Sequence, residues 1–126
     1  MLHAAVIGLP GTGKTTLFQL MTSVRDAPRS KGDVVVGISR VPDARLDRLT
    51  AMYNPRKRVP ATVEFTDIAA PARSGASALV DVAGYRSADA LVHVVRAFGG
   101  DAVAHPKGSI DPARDAQSME DELILA

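Results

Sequence analysis

Eight residues near the amino end, Gly8-Leu9-Pro10-Gly11-Thr12-Gly13-Lys14-Thr15, carry the clearest chemistry in this chain. Their spacing fits G-x-x-x-x-G-K-[ST], a turn that wraps phosphate groups. A phosphate tail needs many donors at short range and no side chain in the way. Gly8, Gly11 and Gly13 allow the backbone to curl so that its N–H groups converge, and the helix that follows adds unpaired N–H groups and the positive end of its dipole. Thr12 and Thr16 extend the donor set. Lys14 is placed to reach the β and γ phosphates as a mobile charge and is the one residue read as catalytic. The Thr15 hydroxyl is placed to ligate Mg²⁺, which takes few protein ligands and keeps several waters. Such a cradle also needs an aspartate near the end of another strand to support the magnesium shell. Asp67, about fifty residues on and at the end of Ala61–Asp67, is the best candidate, the alternative being a strand-ending aspartate that caps a turn.

The cradle works only if a strand delivers it and a helix leaves it. Residues 3–7 are apolar without alternation and read as a strand buried on both faces. Residues 14–25 read as a helix whose Leu17, Leu20, Met21 and Val24 face the sheet. Residues 26–33 read as a loop and Val34–Ile38 as a short strand. Asp43 is positioned to cap a helix over 44–53 with Leu46 and Leu49 inward, ended by Asn54-Pro55. Ala61–Asp67 alternates as a strand, residues 69–78 are small and flexible, and a helix is expected over about 79–88. Ala90–Arg96 reads as a strand, 99–110 as loop, and Asp111-Pro112 opens a last helix. That helix has no stop signal, which favours a piece of a longer protein over a helix that ends by docking. The alternation of strands and helices implies an α/β fold of the P-loop type, with helices on both faces of the sheet and ligand at the carboxyl ends of the strands.

Bulk properties narrow the choice. The 126 residues suffice for one small domain and one core. An apolar content of 46%, 23% charged residues and a net charge of +1 are those of an ordinary soluble domain, with no electrostatic case for DNA or a membrane as main partner. There is no cysteine, and no apolar run approaches the roughly 18 residues of a membrane span. No signal peptide precedes the first strand, so the cytoplasm is the expected compartment.

The segments GLPGTGKTTLF (8–18), VPDARLDRL (41–49), EFTDIA (64–69), ALVHVVRAF (90–98), IDPARD (110–115) and EDELILA (120–126) together resemble the amino-terminal part of the nucleotide-binding domain of the YchF/Obg-like ATPase family, among the translation-factor-related P-loop NTPases. The resemblance runs nearly end to end. It implies a mostly parallel sheet, the strand ending at Asp67 beside the first strand, with 34–38 antiparallel at the edge. It further implies ATP or GTP bound with Mg²⁺, ATP being the usual preference, and contact with ribosomes. Gly11 to Thr16 would wrap the phosphates, Thr15 would ligate the metal and Asp67 would support its shell. The motif that reads the base lies beyond residue 126. The chain departs from the family at three positions. Val36 falls where a magnesium-binding threonine is expected. The D-x-x-G element reads Asp67-Ile68-Ala69-Ala70. Pro71 follows, with no N–H.

Two function classes therefore stand beside each other: a slow Mg²⁺-dependent nucleoside triphosphatase, and a degenerate relative that binds nucleotide or a partner without turnover. A third class, a small-molecule P-loop kinase, needs a lid with arginines that is not visible. Among weaker signals, Arg56-Lys57-Arg58 reads as a solvated basic loop rather than an RNA contact, and His93 as a core or edge histidine. His3 and His105 lack metal-ligand spacing, His105-Pro106-Lys107-Gly108 reads as a turn, and Arg96 as a surface ion-pair partner.

Overall fold

The computed structural model describes residues 1–24, 34–68, 85–100, 102–105 and 107–125. Its centre is β1 (Leu2–Ile7), flanked by parallel partners on both sides: β3 (Thr62–Ile68) and β4 (Ala90–His93). β2 (Val34–Arg40) pairs antiparallel with β3 at the edge, giving the order β2-β3-β1-β4. Ala4, Ala5, Val6 and Ile7 are all buried, the outcome expected of an inner strand without alternation. The register sets Val6 opposite Asp67 on one side and Val92 on the other. β4 is shorter than the expected Ala90–Arg96. Beyond His93, the Val94 N–H still donates to the Ile7 carbonyl at 2.9 Å, but the ladder stops there because β1 turns away at Gly8.

α1 (Lys14–Met21) begins directly after the cradle and is shorter than expected. It stops because Thr22 takes an extended conformation, and both its N–H and its hydroxyl bond to the Phe18 carbonyl. Its inward face is also rotated from the expected one. Phe18 is fully buried, whereas Leu20 is 79% exposed. The physical reason is that Lys14 must turn toward Gly8, and residues four apart share a helix face, so Phe18 and then Thr22 follow Lys14 inward. A Cβ on Gly37 would lie 2.8 Å from the Thr22 side chain, so the end of α1 presses on β2.

α2 (Ala44–Tyr53) has the expected ends: the Asp43 carboxylate accepts from the Arg45 N–H at 2.9 Å, and Asn54 closes the helix in the left-handed conformation. The expected burial of Leu46 and Leu49 does not occur. No residue of α2 is buried, and the helix is tied at its ends, through Val41 N–H to the Ala61 carbonyl and the Arg58–Asp47 ion pair. α3 (Pro112–Leu125) starts where Asp111 accepts from the Arg114 N–H, and it buries Asp115 and Met119. The expected loop over 26–33, the small-residue stretch 69–78 and most of the helix expected over 79–88 lie outside the described residues.

Candidate phosphate-binding site

The site grows from the carboxyl end of β1. Gly8 reverses the chain at φ +155°, and a Cβ there would sit 2.5 Å from the Val94 carbonyl oxygen. Gly11 takes φ +75°, and its Cβ would meet Val103 Cγ1 at 2.9 Å. The turn is therefore wrapped from outside by the segment that leaves β4. Gly13, left-handed at φ +91°, caps α1 and has open space beside it. Lys14 is nearly buried, and its Nζ donates to the Gly8 carbonyl at 3.0 Å, spanning the turn. Burial lowers its pKa below the usual lysine value, and the Asp67 charge offsets part of that shift.

Thr15 Oγ1 donates to Asp67 Oδ2 at 2.9 Å across a separation of 52 residues. Parallel pairing of β1 with β3 makes this contact possible, because it brings Asp67 level with Val6, just before the turn. Asp67 is 1% exposed. A hydroxyl and a carboxylate side by side are hard oxygen donors suited to Mg²⁺, which would complete its shell with water and phosphate oxygens. Among the described residues no cluster of three or more His, Asp and Glu forms a closed metal cage. Thr12 is buried, and its hydroxyl has no hydrogen-bond partner among the described residues. Gly11, Gly13, Lys14, Thr15 and Thr16 line a cavity of about 340 Å³, whose remaining wall is Phe98 and Val103.

The structure thus brings Gly8, Gly11, Thr12, Gly13, Lys14, Thr15, Thr16 and Asp67 to one place. Phe98 and Val103 were not legible as site residues. The one available signal was that they follow a strand whose carboxyl end lies on the ligand side. Val36 lies in β2 opposite Thr66, and Ala70 and Pro71 lie outside the described residues. Arg96 is not a surface ion-pair residue. It is 1% exposed, and its partners are backbone carbonyls rather than a carboxylate. A strand-end arginine that folds back on its own loop can satisfy its donors without an acid. His93 is half-buried, and desolvation lowers its pKa against the opposing charges of Glu120 and Asp115. His105 Nε2 donates to Asp115 Oδ2 at 2.7 Å, while its Nδ1 accepts from the Lys107 N–H. The expected turn is present, with the Gly108 N–H on the His105 carbonyl.

Comparison with known proteins gives the chain its relatives. A ribosome-binding ATPase YchF from Bacillus subtilis is 42% identical over 99% of this chain, and an Obg-like ATPase homolog from Schizosaccharomyces pombe is 33% identical over 98% of it. The chain is related to the YchF/Obg-like ATPase family. It spans about a third of the length of these curated relatives, 36% and 33% respectively. The solved structure of the Schizosaccharomyces pombe YchF GTPase superposes with a TM-score of 0.70 at 31% identity, over 98% of this chain and 35% of that one. No family model matches. The four-stranded sheet, mostly parallel with an antiparallel edge, is thus the P-loop α/β fold of the YchF relatives. No described helix is long and apolar enough to cross a membrane.

Proposed function

We propose that residues 1–126 are the amino-terminal portion of a nucleotide-binding domain that takes a purine nucleoside triphosphate with Mg²⁺. The observation that carries this reading is the Thr15–Asp67 contact at 2.9 Å beside a Lys14 held at the mouth of a backbone cradle. Backbone N–H groups of Gly11 to Thr16 hold the phosphates, Lys14 neutralises the terminal ones, and Thr15 with Asp67 holds the metal. Mg²⁺, when bound, supplies positive charge to the phosphate oxygens. Turnover is slow hydrolysis by water. Positioning and charge stabilisation supply the acceleration, and no general base stands among the described residues that line the cavity. The relatives' names, ribosome-binding ATPase in one case and GTPase in another, support a cytoplasmic, ribosome-associated role and make both purines necessary probes, with ATP the expected preference. Val36 favours a second reading, a module that binds without turnover: it occupies an edge strand and offers no hydroxyl to a metal. Calorimetry with MgATP and MgGTP, run beside phosphate release and a Lys14→Ala control, decides between them. Tight binding with turnover no faster than the control selects the nucleotide-binding module; no binding of either nucleotide by the folded protein overturns both nucleotide-binding readings and leaves a module that binds a partner alone.

A further inference from the structure

Arg96 is the largest fully buried side chain among the described residues, and its hydrogen-bond partners there are carbonyls, not carboxylates. Its Nε donates to the Phe98 carbonyl at 3.2 Å, and its Nη2 donates to Val103 at 3.0 Å and, more weakly, to Gly100 at 3.5 Å. The guanidinium lies 4.6 Å from the centre of the Phe98 ring. Nη1 has no partner. A cation buried among carbonyls is a costly way to fill space, and an apolar side chain of the same volume would do so with less desolvation. A planar fork, however, can hold several carbonyls of one loop in a fixed arrangement, which an apolar group cannot. The residues it gathers are those that wall the cradle: Phe98 and Val103 line the cavity opposite Gly11, Gly13, Lys14, Thr15 and Thr16. Val103 is also the neighbour that Gly11 can approach only because it lacks a Cβ.

We infer that Arg96 is a positioning residue for the phosphate cradle: it gathers the carbonyls of Phe98, Gly100 and Val103 so that Phe98 and Val103 form the outer wall of the cavity and Val103 presses on Gly11. It is not among the residues that line the cavity. The inference rests on the nucleotide-binding reading for its functional consequence but not for its structural one, and two measurements separate them. The variants are Arg96→Met, which keeps the bulk and removes the fork, and Arg96→Lys, which keeps the charge and part of the donor set. In amide hydrogen exchange on the nucleotide-free chain, Arg96→Met is expected to speed exchange across 98–103 and 11–16 by at least about tenfold, while β3 stays protected. In calorimetry, Arg96→Met is expected to weaken MgATP or MgGTP about tenfold to a hundredfold, the scale of an ångström-sized misplacement. Arg96→Lys is expected to recover part of both. Unchanged exchange in 98–103 and 11–16 overturns the inference whatever the nucleotide does. So does unchanged affinity in a protein whose loop has loosened. If the unsubstituted chain binds neither nucleotide, the functional proposal falls, and the exchange result alone decides the role of Arg96. Should Arg96→Met not fold, Arg96→Lys carries the same two tests.

Discussion

Among the glycines of the cradle, Gly8 leaves the least room for a side chain, and this yields a quantitative prediction. Alanine at position 8 would put its Cβ 2.5 Å from the Val94 carbonyl oxygen, at a φ of +155°. Ordinary contact begins near 3.4 Å, so the two groups must separate by about 0.9 Å. Val94 cannot easily yield. Its N–H is bonded to Ile7, one residue before Gly8, and His93 is in register with Ile7. The torsional cost of a positive φ is about 1–2 kcal/mol, and forced overpacking adds about 1–3 kcal/mol. Gly13 is the control. It too has a positive φ, +91°, but nothing lies within 4 Å of its Cβ position, so Gly13→Ala carries only the torsional cost. Gly8→Ala is therefore expected to be less stable than Gly13→Ala by about 1–3 kcal/mol. For a chain of this size that is a midpoint difference of about 4–12 °C. Urea and thermal unfolding of the two variants and the parent measure it. Equal stabilities, within about 0.5 kcal/mol, would refute the argument that the segment leaving β4 braces the turn.

Three further outcomes follow from the same geometry. Thr15→Val removes the hydroxyl but not the volume. It should lower nucleotide affinity by about tenfold or more with Mg²⁺ present and little without it; an equal loss in both conditions removes Thr15 from the metal role. His93 has its pKa lowered by burial, so the unfolded chain binds that proton more readily than the folded one. Its contribution is intact above about pH 6.5 and is lost as pH falls from there toward the lowered value, and His93→Gln should flatten that limb in unfolding curves taken from pH 8 to 5. Burial pushes the Asp115 carboxyl up, but hydrogen bonds from His105 and Arg114 outweigh it and hold the pKa below the usual range. Its stabilisation is present above about pH 4 and fades as pH falls through the folded value. At pH 7, Asp115→Asn should cost about 1–3 kcal/mol in urea unfolding, and a cost under about 0.5 kcal/mol would show the network to be idle.

What could be read from the residues alone divides along a physical line. The cradle was legible because its chemistry dictates types at fixed spacing, and β1 because an inner strand needs no polar face. The pairing that brings Asp67 to Thr15 was implied by the family resemblance, and the parallel register of β1 with β3 bears it out. The rotation of α1 was not legible. Apolar residues stand on more than one side of it, and the choice is made by Lys14, whose position depends on a carbonyl across the turn. α2 carries a real apolar stripe, yet burial depends on what covers it, which no local pattern encodes. Arg96 was misjudged for the strongest reason. Arginine is rarely buried without an acid, and the carbonyls that satisfy it belong to residues of any type and leave no mark in a sequence.

The same cradle implies a pH signature for binding. Lys14 sits where desolvation disfavours its charge, and among the described residues Asp67 opposes that effect. A triphosphate brings several negative charges to the lysine, so ligand binding must raise its pKa above the value in the free chain. Between the two values the complex holds a proton that the free protein has lost, and binding takes that proton up. Affinity should then decline as pH rises through the free-chain pKa of Lys14, by up to about tenfold per pH unit. Calorimetry in buffers of different ionisation heat, from pH 7 to 10, reads the uptake directly. Lys14→Arg should abolish it, because a guanidinium stays charged throughout this range. Proton uptake that persists in Lys14→Arg would assign the linkage to another group. Affinity that stays flat with pH in the parent chain would mean that the buried ammonium is already fully compensated by Asp67 and that the phosphates gain nothing from its desolvation.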